Sequence, residues 1–161
     1  MTKPIRELTI TRTFDAPREI VWKAWTDQKT VQRWWGPRGV SNPTCVWEAR
    51  PNGRIEIVML AGKELGPAAG QRWPMNGVFR EVKPMSRLAF TSNAIDDRQE
   101  ALLENEVTVD FTDENGKTKM VLRVAVMKAV AGKTEMMLQG MEMGWNQQID
   151  KLGEAVEGKR A

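Results

Sequence analysis

The chain has 161 residues, of which 41% are hydrophobic and 28% charged, and its formal net charge is +3. This balance is typical of a globular protein and excludes a disordered chain, and the length predicts a single domain over residues 1–161. The basic residues are interspersed with nearly as many acids, so we expect a solvated surface and no nucleic-acid partner.

Targeting signals are also missing from the sequence. The N-terminal residues show no apolar secretory segment, and no stretch approaches the roughly 18 apolar residues that a membrane-spanning helix needs. The single cysteine, Cys45, has no internal disulfide partner and lies beside Val46 and Trp47, as a packed strand thiol would. These features predict a cytoplasmic protein that does not bind membranes.

Several kinds of chemistry are excluded because the chain contains no histidine and no tyrosine. Imidazole catalysis and most zinc sites need histidine, and phenolic proton donation needs tyrosine. The paired acids Asp96-Asp97 and Asp113-Glu114 lie in predicted turns, where carboxylates cap backbone groups. We therefore expect no catalytic residues, no metal site and no cofactor.

The first third of the chain predicts one strand and two short helices. Residues 6–14 alternate between apolar and polar side chains, which is typical of a half-buried strand. Its inward set is Leu8, Ile10, Arg12 and Phe14. A helix is expected with Pro17 at its first position and one apolar side formed by Ile20, Val21, Ala24 and Trp25. After a cap at Thr26-Asp27, a second helix carries Val31, Trp34 and Trp35 and ends at Gly36-Pro37.

The middle of the chain predicts consecutive hairpins. Strand-like runs occupy residues 44–49, 54–60, 73–82, 88–92, 107–112 and 119–126. Asn52-Gly53 and Asn115-Gly116 are strong hairpin turns between such runs. Because tight turns cannot join parallel strands, these hairpins predict an antiparallel sheet.

The last part of the chain predicts a long amphipathic helix from about residue 131 to residue 156. Its apolar stripe recurs every three or four residues and consists of Met137, Met141, Trp145, Ile149, Leu152 and Val156. Gly140 and Gly144 each weaken a helix by about 1 kcal/mol relative to alanine. We expect a compensating reason, either close approach to the sheet or space for a ligand.

Several short motifs occur in a characteristic order along the chain. They are Phe14-Asp15-Ala16-Pro17, the following Val21-Trp22-Lys23-Ala24-Trp25-Thr26-Asp27, Trp34-Trp35-Gly36-Pro37, Arg50-Pro51-Asn52-Gly53-Arg54, Gly77-Val78-Phe79-Arg80-Glu81-Val82 with Arg87-Leu88, and Gly140-Met141-Glu142-Met143-Gly144-Trp145 with Leu152. Together they resemble the START-like, helix-grip (SRPBCC) superfamily. Within it, they are similar to bacterial proteins related to the C-terminal domain of the activator of heat shock protein 90 ATPase.

The resemblance implies an α+β protein with the helix-grip, or START-like and Bet v-like, fold. A curved antiparallel sheet of about six to seven strands would wrap around the long C-terminal helix, with two short helices after the first strand. In related proteins, a cavity between the sheet and the helix holds lipids, hormones, polyketides or other apolar molecules.

The residues expected to line that cavity are flexible or aromatic apolar side chains. They are Trp35, Met59, Trp73, Met75, Phe79, Met137, Met141 and Trp145. Methionine fills irregular space and tryptophan offers a flat apolar surface, although both also occur in plain cores. The Gly- and Ala-rich loop at residues 61–71 is either a lid over the cavity or a simple long hairpin loop. Glu104 and Glu106 are carboxylates of a strand that face either the cavity or water.

Three functions follow from the pattern and the resemblance. The first is non-enzymatic binding of a small hydrophobic molecule. The second is an interaction with a chaperone that stimulates the ATPase of heat shock protein 90. The third is a cyclase or hydrolase, which the lack of histidine and tyrosine disfavours. A small hydrophobic molecule is the expected partner, and a homodimer and a chaperone complex remain open.

Overall fold

The computed structural model describes residues 3–158, which form one sheet packed against three α-helices. The strands are β1 (Arg6–Phe14), β2 (Val40–Trp47), β3 (Arg54–Ala61), β4 (Arg72–Lys83), β5 (Arg87–Ile95), β6 (Ala101–Glu114) and β7 (Lys117–Ala129). The helices are α1 (Arg18–Thr26), α2 (Gln28–Trp34) and α3 (Glu135–Val156), and a short 3₁₀ helix covers Lys63–Ala68.

The sheet is antiparallel throughout and has the order β1-β7-β6-β5-β4-β3-β2. Strands β2 to β7 form a meander of sequential neighbours, and only β1 pairs with a distant strand, β7. The curved sheet, the two short helices after β1 and the long C-terminal helix confirm the predicted α+β helix-grip fold.

The β6–β7 hairpin confirms the predicted turn and is longer than expected. Asn115 and Gly116 both have positive φ, 55° and 85°, which is the conformation of a two-residue hairpin turn. The strands extend back to Ala101 and on to Ala129, past a register shift beside Glu104 and Asn105 in which Met127 is the extra residue of β7. The buried side of β6 keeps its alternation from Leu103 to Phe111, but Asn105 is polar, so the apolar pattern in the sequence begins only at Val107.

Strand β2 begins earlier than the sequence predicts, and the expected start at residue 44 is wrong. It runs from Val40 and includes Pro43, next to a register shift between Ser41 and Thr44. Proline is tolerated here because β2 lies at the edge of the sheet, where one side of the strand has no partner to bond.

The first helix differs from its prediction in two details. It begins at Arg18, and Pro17 is the capping residue before it, with extended backbone. Val21, Ala24 and Trp25 are buried as expected, but Ile20 is 48% exposed and lies off the buried side. Asp27 caps the second helix, since its carboxylate accepts hydrogen bonds from the backbone and hydroxyl of Thr30.

Helix α3 begins at Glu135 and not near residue 131, so it has 22 residues and is about 33 Å long. Thr134 precedes it and donates its hydroxyl hydrogen bond to the Val130 carbonyl. The buried residues of the helix are Met141, Gln148, Ile149, Leu152, Gly153 and Val156. The predicted stripe is therefore buried mainly in the C-terminal half. None of the helices within residues 3–158 has both the length and the apolar character needed to cross a membrane.

The core is dominated by aromatic rings contributed by α1, α2 and the strands. The Trp25 and Trp34 rings are 4.7 Å apart, and Trp47 lies 5.1 Å from Phe79 and 5.2 Å from Phe90. The Trp47 indole donates a 2.7 Å hydrogen bond to the Trp25 carbonyl. This cluster joins α1 and α2 to the inner face of the sheet, which we define as the face toward α3.

Gly140 and Gly144 of α3 do not lie close to the sheet, which was one of the two reasons expected for them. A Cβ atom built at Gly140 or Gly144 meets nothing within 4 Å, so close approach to the sheet does not explain either residue. The close approach occurs instead at Gly153, where a Cβ atom would lie 3.3 Å from the Phe14 ring. The C-terminal half of α3 is therefore the part pressed against the sheet.

We predict opposite effects of substitutions at these glycines. Gly140→Ala should raise the free energy of unfolding by about 0.5–1 kcal/mol, because alanine favours the helix and meets no neighbour. Gly153→Val should lower it by about 1–3 kcal/mol, because the added atoms overlap the Phe14 ring. Urea denaturation of both variants measures the difference. Gly153→Val as stable as the wild type would contradict this packing.

Candidate functional site

Six of the eight predicted cavity residues belong to the apolar core or pack against it. Four of them are buried in the core, namely Trp35, Met75, Phe79 and Met141. Met59 and Trp145 are half-buried and pack against this core. These six residues share one apolar cluster.

Aromatic contacts connect three members of this group, Trp35, Phe79 and Trp145, in part through Trp47. The Trp35 ring lies 5.7 Å from the Trp145 ring, and this contact joins the end of α2 to the middle of α3. Trp35 also lies 5.2 Å from Trp47, which contacts Phe79. Any molecule bound beside Trp145 would therefore lie at the border of the aromatic core.

The structure places Trp73 and Met137 at the margin. Trp73 is half-buried, and its indole donates a 3.1 Å hydrogen bond to the exposed side chain of Gln71. Met137 is 38% exposed, although it begins the apolar stripe of α3. Its neighbour Met136 is 85% exposed. The N-terminal half of α3 is thus only partly covered.

Two polar side chains on the inner face were not predicted. Ser92 on β5 and Asn105 on β6 are directly opposite each other in the sheet, and both are buried. The Ser92 hydroxyl donates a weak 3.9 Å hydrogen bond to the Met75 sulfur. The sequence does carry a signal for Asn105, since it interrupts the inward set of β6 between Leu103 and Val107.

Helix α3 holds the loop after α2 through polar contacts that the apolar stripe does not reveal. The Gly36 backbone N–H donates a 2.7 Å hydrogen bond to Gln148, and the Arg38 N–H donates a 3.0 Å bond to Gln147. The Arg38 guanidinium pairs with Glu154. Together these bonds fix the loop at residues 35–38 against the helix.

Lys151 completes this attachment. Its ammonium lies within 3.1–3.4 Å of the carbonyl oxygens of Trp35, Gly36 and Pro37. Partial burial lowers the pKa of Lys151, and the positive charge of Arg38 lowers it further. The three carbonyl dipoles compensate for the water that the ammonium loses on burial.

The outer face of the sheet carries a separate polar groove of about 1090 Å³ across β3 to β6. Met75 is the member of the predicted set that lines it. Glu104 and Glu106 lie on this groove and not in the interior, and Glu104 is 4.0 Å from the Lys128 ammonium. The structure thus settles the orientation of these two carboxylates, which the sequence left open.

The loop at residues 61–71 contains the 3₁₀ helix and is docked on the preceding turn. The Gly62 N–H donates a 2.7 Å hydrogen bond to the Gly39 carbonyl. Leu65 lies so near Gly39 that a Cβ atom there would be 3.1 Å from the leucine side chain. In this structure the loop is a packed connection between β3 and β4.

The turn carboxylates and Cys45, which the sequence also offered as candidate groups, show no sign of metal binding or catalysis among residues 3–158. Asp96 accepts hydrogen bonds from the backbone of Arg98 and Glu100, and Asp113 accepts one from Gly116. Burial raises the pKa of the Cys45 thiol to about 11, so the thiol stays protonated near neutral pH. Within residues 3–158, no three acidic or cysteine side chains come together as a metal site would require.

The chain matches a family model and several solved structures. Residues 15–157 match the family described as "Activator of Hsp90 ATPase homolog 1-like protein". The AHSA1 protein from Silicibacter pomeroyi is 26% identical, with a TM-score of 0.73 over 92% of this chain and 95% of that one.

Two further solved structures share the fold at lower identity. A protein from Nitrosomonas europaea is 23% identical, with a TM-score of 0.75 over 94% of each chain. One from Arthrobacter aurescens is 21% identical, with a TM-score of 0.79 over 95% of this chain and 87% of that one. No curated protein matches the sequence.

We predict that the loop attachment at Lys151 stabilises the protein measurably. Lys151→Met replaces the lysine with an apolar side chain of similar length and removes the three carbonyl contacts, so the free energy of unfolding should fall by about 1–2 kcal/mol. The control is Lys133→Met at an exposed position, which should change it by less than about 0.5 kcal/mol. Equal unfolding energies for the two variants would exclude this role of Lys151.

Proposed function

The chain belongs to the activator of Hsp90 ATPase homolog 1-like family, and we propose that it binds a small, mostly apolar molecule between α3 and the inner face of the sheet. In this proposal the bound molecule contacts the N-terminal half of α3 and the methionine and tryptophan side chains beside it. The protein acts as a binding protein without catalysis.

The proposal rests on one observation, namely that the side chains of the apolar stripe of α3 are unevenly buried. Ile149 and Leu152 are fully buried, Met141 is 8% exposed, Trp145 is half-buried and Met137 is 38% exposed. One continuous apolar stripe therefore runs from the packed core onto a partly covered surface. A ligand of suitable size would complete that cover, and flexible methionines would adapt to its shape.

The chemistry near this stripe supports binding more than catalysis. The sequence contains no histidine or tyrosine to transfer protons, and the Cys45 thiol has a raised pKa. The polar contacts of Gln147, Gln148 and Lys151 are made with the backbone of the loop at residues 36–38 and of Trp35. These groups hold the protein together at the packed end of the helix.

We predict that a charge on the partly covered stripe weakens binding selectively. Met137→Glu should raise the dissociation constant of an apolar ligand about tenfold or more, because ligand binding would bury the carboxylate. Met136→Glu adds the same charge one position away on a residue that is 85% exposed, and should change the constant less than about twofold. Fluorescence titration measures both constants, since Trp35 and Trp145 lie at the proposed site.

The probes for this titration are uncharged naphthalene derivatives, flavones and long-chain alcohols, and native mass spectrometry tests for a co-purified small molecule. A ligand that binds the folded state should also raise the melting temperature. The proposal is wrong if no probe changes fluorescence or melting temperature and no small molecule co-purifies. Equal weakening by Met136→Glu and Met137→Glu would show that the stripe does not line the site.

A second candidate function is stimulation of the ATPase of heat shock protein 90, which the family description names. The outward side of α3 favours a protein contact, because Met136 and Met143 are 85% and 66% exposed. We expect the purified protein to raise the ATPase rate of an added heat shock protein 90, and Met143→Glu to reduce that increase. An ATPase rate that stays at the chaperone's basal value contradicts this function.

A further inference from the structure

We infer that Asn105 is the polar group that orients the ligand, and that the ligand is an uncharged molecule with a hydrogen-bond donor attached to an apolar body. A hydroxyl or an amide N–H of the ligand would donate to the Asn105 side-chain oxygen. This inference rests on the proposed function, because it assigns the chemistry of the same binding site.

The inference is drawn from the burial of the Asn105 side chain and from its missing hydrogen bond. Asn105 is 9% exposed, and its Oδ1 atom is buried with no hydrogen-bond partner among residues 3–158. A buried amide oxygen without a partner costs about 1–3 kcal/mol of stability. Buried polar groups are nearly always hydrogen-bonded, so this one calls for a specific reason.

The Asn105 side chain lies on the inner face of the sheet, and the residue also borders the outer groove. It follows the same alternation as the buried Leu103 and Val107 on β6. Its neighbours across the sheet are Ser92 on β5 and Val126 on β7, which are both buried. Asn105 and Ser92 therefore form a small polar patch beside the apolar Leu103, Val107 and Val126.

Other buried amides with an unpartnered atom have evident structural roles. Asn42 donates hydrogen bonds from its amide nitrogen to the carbonyls of Gln32 and Trp35. Gln148 accepts the 2.7 Å hydrogen bond from the Gly36 backbone. Each of these side chains joins two elements, and no such contact is found for the Asn105 side chain within residues 3–158.

The charge of the ligand follows from the buried polar residues. Within the described part of the chain these are Asn42, Ser92, Asn105, Thr118, Thr134 and Gln148, and none of them is ionisable. A carboxylate or ammonium placed beside Asn105 and Ser92 would lose its hydration, and these six buried residues offer no opposite charge to replace it. The site therefore selects for a neutral donor group.

The test compares three probes with the same naphthalene body. 2-Naphthol carries a neutral hydroxyl donor, 2-methylnaphthalene replaces that hydroxyl by a methyl group of similar size, and 2-naphthoate carries a charge. Isothermal titration calorimetry gives the affinities. The side-chain amide resonances of Asn105 in ¹⁵N-labelled protein report whether the probe reaches this residue.

We expect 2-naphthol to bind about tenfold or more tightly than either of the other probes and to shift the Asn105 amide resonances. Asn105→Leu should remove the preference of 2-naphthol over 2-methylnaphthalene. The matched control is Asn93→Leu on β5, because Asn93 lines the outer groove and its amide bonds to Asn76. This control should leave the preference unchanged.

Stability provides a second measurement that separates binding from a structural role. Without ligand, Asn105→Leu should melt at the same temperature as the wild type or higher, because it removes an unsatisfied buried group. A lower melting temperature would show that Asn105 supports the fold, for example through a buried water, and would overturn the inference.

Failure of the inference differs from failure of the proposed function. If 2-naphthol and 2-methylnaphthalene bind equally to the wild type, or if Asn105→Leu keeps the preference, then Asn105 does not orient the ligand and the binding site stands. If none of the probes binds and the wider ligand panel also fails, the proposed function itself is wrong and the inference falls with it.

Discussion

The structure depends on a single helix covering the inner face of a seven-stranded sheet. Helix α3 is 22 residues long, and five of its six buried residues lie in its C-terminal half. Gly153 permits this burial, because a larger residue there would overlap the Phe14 ring. The bonds of Gln148 and Lys151 to the loop after α2 then fix the same end of the helix. The packed end is therefore held by both apolar and polar contacts.

The N-terminal half of α3 is less buried than the C-terminal half, and the proposed site is at this less buried end. The apolar stripe continues to Met137, but the cover over it decreases toward the N-terminus of α3. Gly140 and Gly144 have open space where a side chain would be, so the helix is not wedged against the sheet there. A site at this end can admit a ligand without disturbing the aromatic core around Trp47 and Phe79.

The polar groups of the interior have two distinct roles. Gln148 and Asn42 connect the loop and the second helix to their neighbours, and their bonds stabilise the fold. Asn105 and Ser92 instead form a polar patch among apolar neighbours such as Leu103, Val107 and Val126. An unsatisfied amide at such a place reduces stability, which is common where a protein surface is shaped for binding and not for packing. In the proposed function, the family fold supplies the binding site, and a few polar side chains on its inner face determine which ligands it accepts.

The sequence by itself determined the order of elements, the antiparallel sheet and the inward stripe of α3, because side-chain periodicity and turn residues are local signals. It also singled out Trp35 and Phe79 as residues of either a ligand cavity or a plain core, and both are buried. Local periodicity did not reveal that β2 extends through Pro43 or that Ile20 is exposed, since edge position and packing against the sheet decide these.

Only the tertiary structure placed Glu104 and Glu106 on the outer face, joined Lys151 to the loop at residues 35–37, and set Asn105 opposite Ser92. Such contacts join residues that are distant in the chain, and no local pattern specifies which strands become neighbours or which polar atoms remain without a partner.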